Sequence, residues 1–161
     1  MRVLRSSPRD YASHMGILRR DYPVSNAEAH GMSLEDARKA SAQEFRHLLP
    51  KGQQTPGQHF YALYTGERKV GYLWLMEAPN KTLFISDIYV FSQYRSKGLG
   101  AKAMKWVEGK ARKLGSKRVR LHVFGSNHRA VAFYERCGFV PANIMMNKPV
   151  AEQDPVGRPG A

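Results

Sequence analysis

The chain has 161 residues, enough for one domain that buries its own core without disulfide or metal staples. One cysteine, Cys137, excludes an intrachain disulfide and points to a reducing compartment. Twenty-six Lys and Arg against thirteen Asp and Glu leave +13, a surplus that suits nucleic acid, an anionic membrane or a phosphate-rich ligand.

The opening stretch MRVLRSSPRDYASHMG has no apolar signal-peptide core, and no window approaches the roughly eighteen apolar residues of a membrane span. The expectation is a cytoplasmic chain with no membrane partner. Residues 8–20 predict a first helix, with Tyr11, Met15 and Leu18 at helical spacing. The polar stretch from Asp21 to Met32 reads as a loop. A second helix follows, capped by Ser33 with Asp36 three residues on, and it ends at Pro50.

The pattern then changes to period two. Residues 59–65, a turn at Gly66-Glu67 and residues 69–77 predict an antiparallel hairpin, and 82–91 a third strand rich in β-branched and aromatic residues. A helix over 98–114 carries Leu99, Ala103, Val107, Ala111 and Leu114 on one stripe, and Gly115 is placed to stop it. A strand over 117–124, a helix over 127–137 and a last strand over 139–148 complete the pattern. Residues 149–161 read as a disordered tail. The fold class is α+β: a mixed, mostly antiparallel sheet with flanking helices and one late parallel crossover.

The segment RSKGLGAKA, between a strand and a helix, is the chemically informative one. Its spacing excludes the P-loop pattern G-x-x-x-x-G-K-[ST]. It matches G-x-G-x-x-[GA] at Gly98, Gly100 and Ala103, but where a dinucleotide site wants an acid about twenty residues on, Arg118 and Arg120 stand. The better fit is [RQ]-x-x-G-x-[GA], carried by Arg95, Gly98 and Gly100. Backbone N–H groups over 95–101, which include Ser96, Lys97, Leu99 and Ala101, would converge on a pyrophosphate at the positive end of the helix. Glycine at 98 and 100 would remove the Cβ atoms that block that approach. Lys97, Lys102 and Lys105 would add charge.

DIYVFSQYRSKGLGAKAM followed by HVFGSNHRAVAFYERCGF resembles the GNAT superfamily of acetyl-CoA-dependent N-acetyltransferases. The second block matches its N-x-x-A-x-x-x-Y-E-x-x-G-F pattern at Asn127, Ala130, Tyr134, Glu135, Gly138 and Phe139. The similarity spans about residues 57–148, the expected acetyl-CoA-binding core. Residues 1–56 would form the variable, substrate-side part of a single domain over 1–148. The resemblance implies direct attack of an amine on the thioester, with a bulge splaying two parallel strands into a slot between 85–91 and 119–124. It implies that backbone groups of Ile88, Tyr89 and Val90 hold the pantetheine and acetyl carbonyl, with an N–H near Val90 meeting the oxyanion. It further implies a contact from Asn127 to the pantetheine arm, with Ala130 and Phe133 beside the slot, and Tyr134 as general acid.

A general base is less well marked. Asp87 and Glu77 are the candidates, and Asp21 and Glu28 join Glu77 as acids that could receive a cationic acceptor. The six histidines have no metal-ligand spacing, so no metal is expected. The resemblance implies a small-molecule or protein amine as the acceptor, with a homo-oligomer left open. The basic run from Lys110 to Arg120 keeps a nucleic-acid or ribosome-associated module as the alternative, although no RNA-binding motif supports it.

Overall fold

The structure is a computed structural model and describes residues 1–148 and 150. Among the described residues, five strands form one sheet in the order β1 to β5: β1 Arg2–Arg5, β2 Gln58–Thr65, β3 Arg68–Ala78, β4 Thr82–Val90 and β5 Arg118–Leu121. Every neighbouring pair is antiparallel except β4 and β5, which run parallel. The helices are α1 Pro8–His30, α2 Leu34–Leu48, α3 Leu99–Lys113 and α4 His128–Arg136.

Side-chain alternation divides the core between the two faces of the sheet. Leu63, Leu73, Leu75, Leu83 and Ile85 pack with Ala103, Met104 and Val107 of α3, and Phe133, Tyr134 and Cys137 of α4 lie against the same cluster. Phe60 and Trp74 face the other way, onto Met15 and Leu18 of α1 and Phe45 of α2. Cys137 is thus a packing residue, and burial raises its thiol pKa, so the thiol form is favoured.

Local signals explain most element ends. Ser7 and Asp10 form a reciprocal capping box at the start of α1, with Pro8 in its first turn. Ser33 caps α2 by accepting from the Asp36 N–H.

Three expectations need correction, and one strand is new. The segment from Asp21 to His30 is helix, not loop, and α1 runs through Pro23 to stop at Gly31, whose φ is +62°. Proline inside a helix costs on the order of 3 kcal/mol, and here tertiary packing opposes that penalty. Pro23 is buried, and Tyr22 packs on Phe45 and Phe124 while its hydroxyl donates to Glu44. Strand β1 was not foreseen, because a four-residue edge strand with one half-buried side chain has almost no hydrophobic signature. Strand β5 stops at Leu121 rather than running to 124. Residues 139–148 form no strand: Val140, Ile144, Met145 and Met146 are exposed, so their apolar character does not reflect burial.

The expected disordered tail lies outside the described residues apart from Val150. Among the described residues, no helix is long and apolar enough to cross a membrane.

Candidate active site

The sheet opens between β4 and β5. Their parallel pairing runs from Thr82 with Arg118 to Ile85 with Leu121, and goes no further. At the same point the β3–β4 register slips: Leu75 faces Ile85 and Trp74 faces Asp87, so Ser86 is an extra residue on β4. Such a bulge bends its strand and reverses the parity of everything after it. Ile85 and Ile88, three apart, therefore both lie on the α3 side, and Asp87 turns to the α1 side, where its carboxylate meets His14. The β4–β5 pairing, and β5 with it, thus ends beside the extra residue on β4, at the place where the slot was expected.

Beyond β4 the chain makes a short 3-10 turn at Ser92–Tyr94 and enters α3 through Gly98. Gly98 has φ +71° and Ser96 φ +60°, left-handed conformations at alternate positions. The helices α1, α2 and α4 each begin with a side-chain cap; α3 has none, and no acid in its first turn. Its first N–H groups are left for an outside acceptor. Cationic side chains surround them: Arg129 donates to Ser96 Oγ at 3.0 Å, and Lys97 Nζ donates to the Gln93 carbonyl at 3.2 Å. An anion such as a pyrophosphate fits this donor set.

The two glycines play different parts. A Cβ on Gly98 would meet nothing within 4 Å, so its backbone conformation is what requires glycine. A Cβ on Gly100 would lie 2.9 Å from Cζ of Phe133, so that position is kept bare for α4.

Arg95 folds back onto β4, donating from Nε to the Val90 carbonyl at 2.8 Å, with its guanidinium 5.5 Å from the Tyr89 ring. Asn127 caps α4, accepting from the Ala130 N–H at 3.1 Å. Phe133 and Tyr134 follow on that helix with ring centroids 5.2 Å apart. Burial pushes the Tyr134 phenol up to about 12, and the charge of Asp87 adds to the rise. Tyr134 and Asp87 thus belong to one electrostatic neighbourhood.

Glu77 stands apart from it. It pairs with Leu83, at the end where β4 and β5 are still joined, and its carboxylate lies 2.6 Å from His59 Nε2. Asp21 is held by Arg20 at 2.6 Å, and this hydrogen bond lowers its pKa, so it is no free acid for an incoming cation. Among the described residues no cluster of three or more His, Cys, Asp or Glu could hold a metal.

Sequence reasoning passed over His14. Its side chain is 0% exposed, and Nε2 lies 2.7 Å from Asp87 Oδ2. The available signal was a titratable residue among Tyr11, Met15 and Leu18, on the stripe that predicts a buried face.

The chain matches the Acetyltransferase (GNAT) family over residues 16–139. It belongs to that family. It is 33% identical over 143 residues to YycN, an uncharacterized N-acetyltransferase of Bacillus subtilis, covering 86% of this chain and 92% of the other. The crystal structure of YycN superimposes with a TM-score of 0.88 at 30% identity, covering 94% of this chain and 99% of that one. A candidate streptothricin acetyltransferase from Bacillus anthracis, solved in complex with acetyl coenzyme A, matches 54% of this GNAT chain and 49% of its own at 29% identity and TM-score 0.51. A shorter match, 38% identity over 58 residues, is to thialysine N-epsilon-acetyltransferase of Mus musculus, covering 36% of this chain and 34% of that one. The chain is thus an N-acetyltransferase of the GNAT family, built on its mixed sheet.

Proposed function

We propose that this GNAT enzyme takes the acetyl group of acetyl-CoA and transfers it directly to an amine in the opening between β4 and β5. The observation that carries the reading is the Ser86 bulge on β4 at the point where pairing with β5 stops, at Ile85 and Leu121, followed along the chain by the uncapped start of α3. Backbone N–H groups of residues 95–101, with Lys97, Lys102, Lys105 and Arg129 around them, would hold the phosphates. Backbone groups of Ile88, Tyr89 and Val90 would line one wall of the pantetheine path, and Asn127, Ala130 and Phe133 the other.

Acetyl-CoA supplies an activated acetyl thioester. Asp87 takes the proton that the amine loses on attack, and an N–H near Val90 receives the carbonyl oxygen's developing charge. Tyr134 stands at the departing sulfur. A phenol at about 12 is a weak acid beside a thiol, whose usual pKa is about 8.5, and full transfer is uphill by on the order of 4–5 kcal/mol. Tyr134 therefore acts chiefly by donating a hydrogen bond as charge builds on sulfur. A single cysteine packed in the core suits a cytoplasmic enzyme with no covalent intermediate.

Thialysine is the first acceptor to test, on the strength of the partial match to the mouse enzyme. Nothing observed favours the nucleic-acid alternative. The test is calorimetric titration of acetyl-CoA into the wild type and a folded Lys97→Glu, Lys102→Glu variant. Micromolar wild-type binding, weakened at least about tenfold in the variant, is expected. A folded wild type that binds no acetyl-CoA would sink the reading. Release of CoA thiol with thialysine, spermidine and a peptide bearing a free N-terminus then ranks acceptors.

A further inference from the structure

His14 and Asp87 are 73 residues apart in sequence and 2.7 Å apart in space. The imidazole is buried between Tyr72, stacked on it at 5.0 Å and 14°, and Phe60, edge-on at 6.3 Å. Nδ1 is buried with no hydrogen-bond partner. Asp87 is 22% exposed, and its Oδ2 is the oxygen committed to His14.

Hydrogen-bond accounting favours one tautomer. A carboxylate accepts, and with Asp87 in that form Nε2 is the donor to Oδ2. The reverse arrangement, a protonated Asp87 donating to a bare Nε2, would put the hydrogen on Nδ1 and bury an unsatisfied donor. An apolar ring would fill the same space beside Tyr72 with no unpartnered nitrogen at all. What histidine adds over such a ring is one fixed donor to one carboxylate oxygen.

We infer that His14 is a positioning residue for acetyl transfer: its Nε2–H pins Oδ2 of Asp87, and Oδ1 is thereby presented to the acceptor amine. The inference rests on the proposed role of Asp87 as base. As the amine nitrogen bonds to the acetyl carbon, its N–H proton passes to Asp87 Oδ1. The C–S bond breaks and its electron pair stays on sulfur as a thiolate that accepts a hydrogen bond from Tyr134; the thiolate takes up a proton from water and Asp87 returns its proton to water. His14 takes no proton in this sequence. It holds the acceptor of one, and a displacement of about 1 Å in such a group lowers the rate by on the order of 100-fold.

The test compares His14→Phe, which keeps the stack and removes the donor, with His14→Gln, which restores an N–H near the Nε2 position. Each is made alone and combined with Asp87→Asn, and assayed with the best amine of the thialysine, spermidine and peptide panel. Expected are a roughly 10- to 100-fold fall in kcat for His14→Phe, unchanged KM for acetyl-CoA, and substantial recovery in His14→Gln. In the Asp87→Asn background, His14→Phe should have no further effect, because it acts through the carboxylate. A His14→Phe variant with full kcat, or equal losses in both backgrounds, would overturn the inference.

A second readout needs neither activity nor a folded variant: 15N–1H spectra of wild-type histidine side chains. Hydrogen on His14 Nε2 supports the pairing, and hydrogen on Nδ1 with a bare Nε2 overturns it. Failure to bind acetyl-CoA would instead remove the donor assignment while leaving that spectrum intact, so the two failures are distinguishable.

Discussion

The ring of Phe133 occupies the space that a side chain on Gly100 would need. Cζ and Cε2 lie 2.9 and 3.1 Å from an ideal Cβ at that position. The start of α3 and the middle of α4 therefore meet without an intervening side chain, which brings the uncapped helix end close to the helix that bears Tyr134. Gly98, two residues earlier, has open space around its absent Cβ and a left-handed backbone instead.

The contrast predicts two losses with different cures. Gly100→Ala should cost about 1–3 kcal/mol through overpacking, and Phe133→Leu should recover much of it by withdrawing the ring. Gly98→Ala should cost about 1–2 kcal/mol through its left-handed φ, with no recovery from Phe133→Leu. Thermal melts of the four variants separate the cases. Equal rescue of both glycine variants would show that the Phe133 contact is not what matters.

Gly71 makes a sharper prediction. A Cβ there would stand 2.0 Å from the Tyr89 carbonyl oxygen, and that atom is backbone with nowhere to swing. Gly71 pairs with Val90 on the stretch of β4 beyond the bulge, so β3 and β4 would have to part beside the opening. Gly71→Ala should cost about 4 kcal/mol or more and leave little soluble protein. A variant melting within a few degrees of wild type would refute the close approach.

What the sequence revealed, and what it hid, divides along the range of the interactions. Ser33, Gly115 and the alternation over 59–77 were readable because caps, left-handed glycines and strand faces are local. The motif blocks placed Asn127 and Tyr134 together because one caps and the other lies within a single short helix. The extension of α1 past Pro23 was hidden, since its support comes from Phe45, Glu44 and Phe124, far along the chain. Asp87 was visible as an acid on β4, but its direction depends on a single extra residue at Ser86. Its partner His14 was hidden for the same reason, because a one-residue slip decides which face, and so which helix, a strand side chain meets.

Acid stability should depend on Asp10. Burial opposes its charge, yet hydrogen bonds from Lys69 and Ser7, with the Lys69 charge, outweigh it and hold its pKa below 3.8. A lowered folded pKa gives stability that is present above the unfolded value and lost as pH falls through the folded one. Urea midpoints should therefore drop below pH 4, and Asp10→Asn should flatten that drop while lowering stability at pH 7. A variant as acid-sensitive as wild type would remove Asp10 from the account.

Tyr134 links stability to catalysis at the alkaline end. Unfolded tyrosines lose their protons near pH 10, whereas burial keeps Tyr134 and Tyr22 protonated to about 12. The folded state then binds more protons, so stability falls as pH rises from 10 to 12, by about 2–3 kcal/mol for Tyr134. Tyr22, half-buried as Tyr134 is and raised to the same value, adds to that slope. Tyr134→Phe should flatten part of that slope while leaving acetyl-CoA affinity unchanged. It should also lower kcat by roughly 10- to 100-fold, the loss of one hydrogen bond to a charged sulfur, and in the wild type no loss of rate below pH 11 should trace to its ionisation. A Tyr134→Phe enzyme that keeps full kcat, with the alkaline slope flattened as expected, would leave Tyr134 a buried wall residue and move the hydrogen-bond donor for sulfur to water.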